Sequence, residues 1–384
     1  MKYPTITAGA WAASAPVLLF KNGGPSLGAY FNITSRTFLK SGCNETAIRA
    51  AFQAIDNYST NSSGIAILNQ IFKVNTSSPL ITKEDVENFL KPYIREAFES
   101  LAELDYPYPA NFLAPLPKWP VREACKYLTK DSGSDFDRAT HLFNAISVYY
   151  GNKTACVRSD KCPDAGFWAD LAWSWQECTE IIIEKCALGP PNDFFWSYCN
   201  ESTVLSMIKE NCQKNFNNTG YNTTMLREDG VEKLYGFDFR GASNIIFTNG
   251  DLDVWSSGGV TENSPGIKNA NSRGIYNYYI HGSAHHLDLR QPTKCDPTSV
   301  VHARYQIVQI LLCWAYPTRP ECSTPFQQQD LPEFEEVNAT DCTTIINGYP
   351  WGIESKESKT NSANLSAHGV FYLTIVIAFL SFFY

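Results

Sequence analysis

The chain reads as an α/β protein in which a long helical stretch interrupts a strand-rich core. Three observations predict this. Residues 243–248 form a short β-branched and apolar run ending in Asn249-Gly250, the pattern of a buried strand that opens into a loop. Residues 274–281 return to strand character with alternating aromatic and polar positions, and an amphipathic helical pattern follows over 300–314. Between these and the start lies a mostly helical block. Apolar residues recur at spacings of three and four over 45–55 and 83–104, and similarly over 140–149 and 168–186. Near the start, the small-residue run 6–16 reads as an interior strand. A core interrupted by a helical insertion accounts for this order better than two sequential domains.

At 384 residues and 44% hydrophobic, the chain can bury one large core or two modest ones. A net charge of −8 argues against nucleic acid as a partner. The twelve cysteines are widely spaced with no Cys-x-x-Cys, which suits disulfides better than zinc. Glycosylation sequons are dense: Asn32, Asn44, Asn57, Asn61, Asn75, Asn152, Asn200, Asn217, Asn222, Asn338 and Asn364. Together these predict a glycoprotein of an oxidising compartment. No signal peptide is legible at the start. Residues 370–384 are uncharged and apolar, but fifteen helical residues reach only about 22 Å. That falls short of the roughly 30 Å hydrocarbon core of a bilayer. With small residues at Asn361-Ser362-Ala363 and a polar spacer, the tail reads as a lipid-anchor signal, with a short tail-anchored helix or a buried terminal helix as alternatives.

The chemistry concentrates in Asn249-Gly250-Asp251-Leu252-Asp253-Val254-Trp255 and in Ser283-Ala284-His285-His286-Leu287-Asp288-Leu289-Arg290. A carboxylate just past a strand, then a histidine on a later loop, is the chain order of an α/β-hydrolase triad. Asp253 is the expected acid and Asp251 its rival; an Asx-turn closing the strand is the plainer use of either. Only one of the adjacent histidines His285 and His286 can meet that acid. Asp288 and Arg290 are expected around them, or as a surface ion pair. A metal site is disfavoured because no His-x-x-x-His or Cys/His cluster is present, and no cofactor is expected. One Gly-x-Ser-x-Gly match exists, Gly24-Pro25-Ser26-Leu27-Gly28. Pro25 and the glycines before it break the strand that a nucleophile elbow needs, and 29–34 reads as poor helix material, so Ser26 is not the expected nucleophile.

Five ordered pieces carry a family resemblance over roughly residues 1–315: Ala12-Ala13-Ser14-Ala15-Pro16, Leu104-Asp105-Tyr106-Pro107-Tyr108, Trp173-Ser174-Trp175-Gln176-Glu177-Cys178-Thr179-Glu180, and the two motifs above. The chain resembles the serine peptidases that include lysosomal Pro-X carboxypeptidase and dipeptidyl peptidase II. The resemblance implies an α/β-hydrolase fold with an inserted helical cap. On that basis 1–35 is the first part of the core, 36–235 the cap, 236–315 the second part, 316–369 a stalk and 370–384 the tail. It implies Asp253 as triad acid, His285 as base, and Trp255 as a wall of a proline pocket. It also suggests the disulfides Cys178–Cys212 and Cys43–Cys186. Val254 departs from a proline in the family motif.

The family carries its nucleophile in a Gly-Gly-Ser-Tyr-Gly-Gly elbow whose helix leads into a segment like Met1-Lys2-Tyr3-Pro4. The chain is therefore expected to be truncated just after the serine, and inactive as it stands. The implied substrates are peptides with proline near a terminus, the implied location is lysosomal or extracellular, and a homodimer is among the expectations. A catalytically dead, membrane-tethered glycoprotein that binds peptides or a partner is the alternative. Carboxypeptidase and dipeptidyl peptidase are not separable from these residues. Trp173, Gln176 and Glu180 share a helix that either faces the pocket or only packs.

Overall fold

The computed structural model describes residues 6–21, 23–158, 161, 168–337, 339 and 341–343. In chain order it contains strand β1 (Ala10–Ala13) and helices α1 (Ala29–Lys40), α2 (Glu45–Tyr58), α3 (Ser62–Ile71), α4 (Lys83–Asp85) and α5 (Lys91–Glu103). A small ribbon, β2 (Ala110–Asn111) with β3 (Pro115–Leu116), precedes α6 (Pro120–Cys125), α7 (Asp135–Tyr150), α8 (Trp168–Thr179), α9 (Val204–Phe216) and α10 (Gly230–Tyr235). The chain closes with β4 (Ile245–Gly250), β5 (Ile275–Ile280) and α11 (Thr298–Ala315).

The sheet runs β1-β4-β5, all parallel, with Ala10 opposite Ile245 and Ile245 opposite Ile275. Every residue of β4 is buried, as a central parallel strand with both faces covered requires. β1 forms as expected but at the edge rather than the interior: among the described residues no strand pairs with its outer side. The three strands share one direction, so the loops after Ala13, Gly250 and Ile280 emerge at the same end of the sheet.

The helices form where caps and apolar spacing agree. Asn44 accepts from the Ala47 N–H at 3.1 Å to start α2, whose Ile48, Ala51, Phe52 and Ile55 are buried. Ser134 and Asp137 form a reciprocal capping box on α7. α1 corrects an expectation. Residues 29–34 are helical because Tyr30, Phe31 and Phe38 bury one face against aromatic neighbours, Phe98 stacking on Phe38 at 4.5 Å. Packing overrides weak propensity here. α8 stops at Thr179, seven residues before the helical pattern does.

Cys178–Cys212 forms as the resemblance suggests, but Cys43 pairs with Cys125 and Cys186 with Cys199. The chain leaving α1 runs beside the end of α6, which brings the Cys43 and Cys125 Cα atoms to 4.6 Å. The stretch after α11 is tied to the body. Glu336 accepts from Trp119 Nε1 at 2.9 Å and Arg122 Nη1 at 2.6 Å, and Cys342 is bonded to Cys295. Among the described residues no helix is long and apolar enough to cross a membrane. Asn338, Asn364, Asn361-Ser362-Ala363 and the 370–384 tail lie outside the described residues.

Digestion under non-reducing conditions followed by mass spectrometry should yield peptides linked through Cys43–Cys125 and Cys186–Cys199. A peptide linking Cys43 to Cys186 would contradict the packing of α1 on α6.

Candidate active site

The site assembles at the carboxyl ends of the parallel strands, where open α/β sheets place their ligands. Just past β4, Asp253 is fully buried, and its Oδ1 accepts from the Trp255 N–H at 3.0 Å. His285 lies just past β5. Its Nδ1 is 3.2 Å from Oδ1 and 3.3 Å from Oδ2 of Asp253. A carboxylate only accepts, so Nδ1 carries the proton and Nε2 holds the lone pair. The two loops meet closely because residue 250 is glycine: a Cβ there would lie 2.1 Å from the Ser283 carbonyl oxygen.

Asp251, the rival acid, is committed elsewhere. Its Oδ1 accepts from the Gly282 N–H at 2.6 Å, and Oδ2 lies 3.8 Å from both Lys40 and His281. His286 turns away from Asp253. It packs edge-on against Phe112, and burial together with the neighbouring His285 and Arg290 charges pushes its imidazole down to about 2. Asp288 is buried and accepts from Thr248 Oγ1 at 2.6 Å, while Arg290 lies over the Tyr106 and Phe112 rings. Among the described residues Asp288 and Arg290 form no ion pair with each other.

Ser26 stands apart. It is exposed in the turn before α1, preceded by a short 3-10 turn (Val17–Phe20) and not by a strand. The helix of an elbow follows it, contrary to expectation, but the strand is missing. Among the described residues the His285 ring hydrogen-bonds only to Asp253.

Several neighbours were not legible as site residues. The His285 N–H donates to the Glu103 carbonyl at 3.0 Å, and Tyr106 Oη donates to the His285 carbonyl at 3.2 Å. Burial raises the Glu103 carboxyl above its usual range, against the pull of His285 and with the repulsion of Asp253. Burial likewise raises Asp288, against its Thr248 bond and Arg304. Burial alone would lower His285, but the attraction and hydrogen bond of Asp253, then Glu103 and Asp288, outweigh it and raise the imidazole. Trp255 rests on Tyr30, and the Lys185 ammonium lies 3.9 Å over Tyr30 and 5.4 Å from the Trp255 ring, paired with Glu99 at 2.9 Å. Trp173 and Gln176 of α8 are half-buried, while Glu180 lies just past the helix and is exposed.

Residues 1–307 match the serine carboxypeptidase S28 family. The chain belongs to that family. It is 41% identical to the Caenorhabditis elegans protein pcp-1 over 374 residues, 94% of this chain and 64% of that protein. It is 37% identical to prolyl carboxy peptidase like protein 5 of the same organism, over 82% of this chain and 62% of the relative. It is also 36% identical to mouse lysosomal Pro-X carboxypeptidase, over 82% of this chain and 60% of the relative. The chain thus spans about three-fifths of the length of these curated relatives.

Because the folded state raises the His285 imidazole above its free value, protonating that ring stabilises the fold. That contribution is complete below about pH 6.5, the free histidine value, and is lost as pH rises through the raised midpoint. Asp253→Asn removes the main attraction and leaves burial in charge, so the His285 midpoint should fall below the free value in histidine-selective NMR titration. An unchanged midpoint would contradict the pairing.

Proposed function

We propose that this chain carries the base and the orienting acid of a serine exopeptidase that cleaves beside proline. The observation that carries the reading is the buried Asp253 carboxylate on His285 Nδ1, at the carboxyl ends of adjacent parallel strands. Neutral His285 takes the proton of an attacking serine hydroxyl through Nε2, Asp253 stabilises the imidazolium, and the proton then passes to the leaving amine. Water, activated by the same base, releases the acyl group. Trp255, in a T-shaped contact with Tyr30, offers an apolar wall for a proline ring. The names of the Pro-X relatives support a substrate with proline before its last residue and favour carboxypeptidase over dipeptidyl peptidase action.

The serine this pair serves is not Ser26, and we assign it to residues outside these 384. Among the described residues no strand pairs with the outer edge of β1, which offers a place for a strand bearing it. The helical stretch after β1 acts as the cap over the site. The relatives' names also support a lysosomal or secreted location. Glycosylation fits as well, since every described sequon asparagine is exposed except Asn75, which is half-buried. Anchoring through the apolar tail and dimer formation belong to the same proposal.

The 384-residue chain should neither turn over a Pro-Phe-terminated peptide nor react with a fluorophosphonate. A form that includes the serine should do both, and Asp253→Asn should cut its turnover by about four orders of magnitude. Turnover by the 384 residues that vanished on Ser26→Ala would overturn the assignment. Peptide binding without turnover in every form would favour a binding glycoprotein.

A further inference from the structure

We propose that Ser14 is a positioning residue for His285: its hydroxyl fixes the peptide that follows the base and so sets where the imidazole points. The inference rests on the reading of His285 as that base. Ser14 directly follows β1 and is buried, and its Oγ accepts from the His286 N–H at 2.7 Å across 272 residues of sequence. Both partners are non-glycine residues in the left-handed region, Ser14 at φ 52° and His286 at φ 40°. L-residues adopt that conformation at a cost and hold it only where the surroundings enforce it. Here two such residues are joined by one short hydrogen bond, directly beside the histidine of the site.

The contact closes a mechanical loop. The Ser14 N–H donates to the Thr248 carbonyl at 2.9 Å, so Ser14 is registered on β4, the strand that delivers Asp253 five residues later. Its hydroxyl then holds the segment that delivers His285. Acid and base are thereby referenced to the same strand. The remaining restraints come from other elements. Glu103, the last residue of α5, and Tyr106 just beyond it hold the N–H and carbonyl of His285 itself. Arg304 on α11 donates to the carbonyls of Leu287, Asp288 and Arg290. Among the described residues Ser14 alone bonds the N–H between the two histidines. The Nδ1–Asp253 bond depends on angle as well as distance, so a small rotation of this peptide weakens it. The Ser14 hydroxyl meets backbone and not the imidazole, which sets it apart from a nucleophile.

The test uses the 384-residue chain with nitrogen-15 histidine, comparing wild type with Ser14→Ala and Ser14→Gly, and with His285→Gln to assign the signals. Wild type should show a downfield Nδ1 proton on His285. Both Ser14 variants should lose it, and their His285 midpoint should fall by about one unit. Glycine relieves the left-handed backbone, so Ser14→Gly keeps its fold by circular dichroism even where alanine does not. A folded Ser14→Gly chain with an unchanged downfield proton and midpoint makes the serine a purely structural turn residue and overturns the proposal. Absence of the signal in wild type overturns the reading of the Asp253–His285 pair instead.

Discussion

The site depends on one buried carboxylate. Asp253 has no exposure to water, and an ion so placed costs several kcal/mol unless charge and hydrogen bonds compensate it. Among the described residues its hydrogen bonds come from the Trp255 N–H, which is local, and His285 Nδ1, which arrives from the segment after another strand. The second source demands much of the fold. β4 and β5 must pair in parallel register, and their following loops must approach closely enough that residue 250 has no room for a side chain.

The residues around the pair act as a frame with different anchors on each side. Arg304, itself fully buried and paired with Asp296, gathers the carbonyls of the 287–290 turn onto α11. Thr248 bonds the Asp288 carboxyl from β4, while the end of α5 grips the backbone of His285. This arrangement leaves two further carboxyls, the half-buried Glu103 and the buried Asp288, within electrostatic reach of the imidazole. Both favour the protonated imidazole, so the ring becomes neutral only as pH rises through a raised midpoint. His286, burdened by the same burial but with cationic neighbours, stays neutral and serves as packing.

Much of this frame was legible because its signals are local. The uninterrupted apolar run of β4, the alternation of β5 and the amphipathic pattern of α11 each follow from side-chain periodicity. The preference for Asp253 over Asp251 rested on the family resemblance, since both aspartates precede the histidines, and the two differ in their partners. What stayed hidden is non-local. Ser14 meets His286, and Glu103 meets His285, across long stretches of the chain, with no periodicity to mark either contact. Residues 29–34 escaped because β-branched and aromatic composition argues against a helix that aromatic packing nonetheless stabilises. The partner of Cys43 escaped because cysteine counts do not encode connectivity.

A double-mutant cycle on Asp253→Asn and His285→Gln, read by urea unfolding at pH 6, tests the central claim most directly. A charge-assisted hydrogen bond in a buried setting predicts a coupling of about 1.5–3 kcal/mol between the two positions. Additive effects, with coupling indistinguishable from zero, would mean that the two side chains do not act as a pair and would contradict the account of the site.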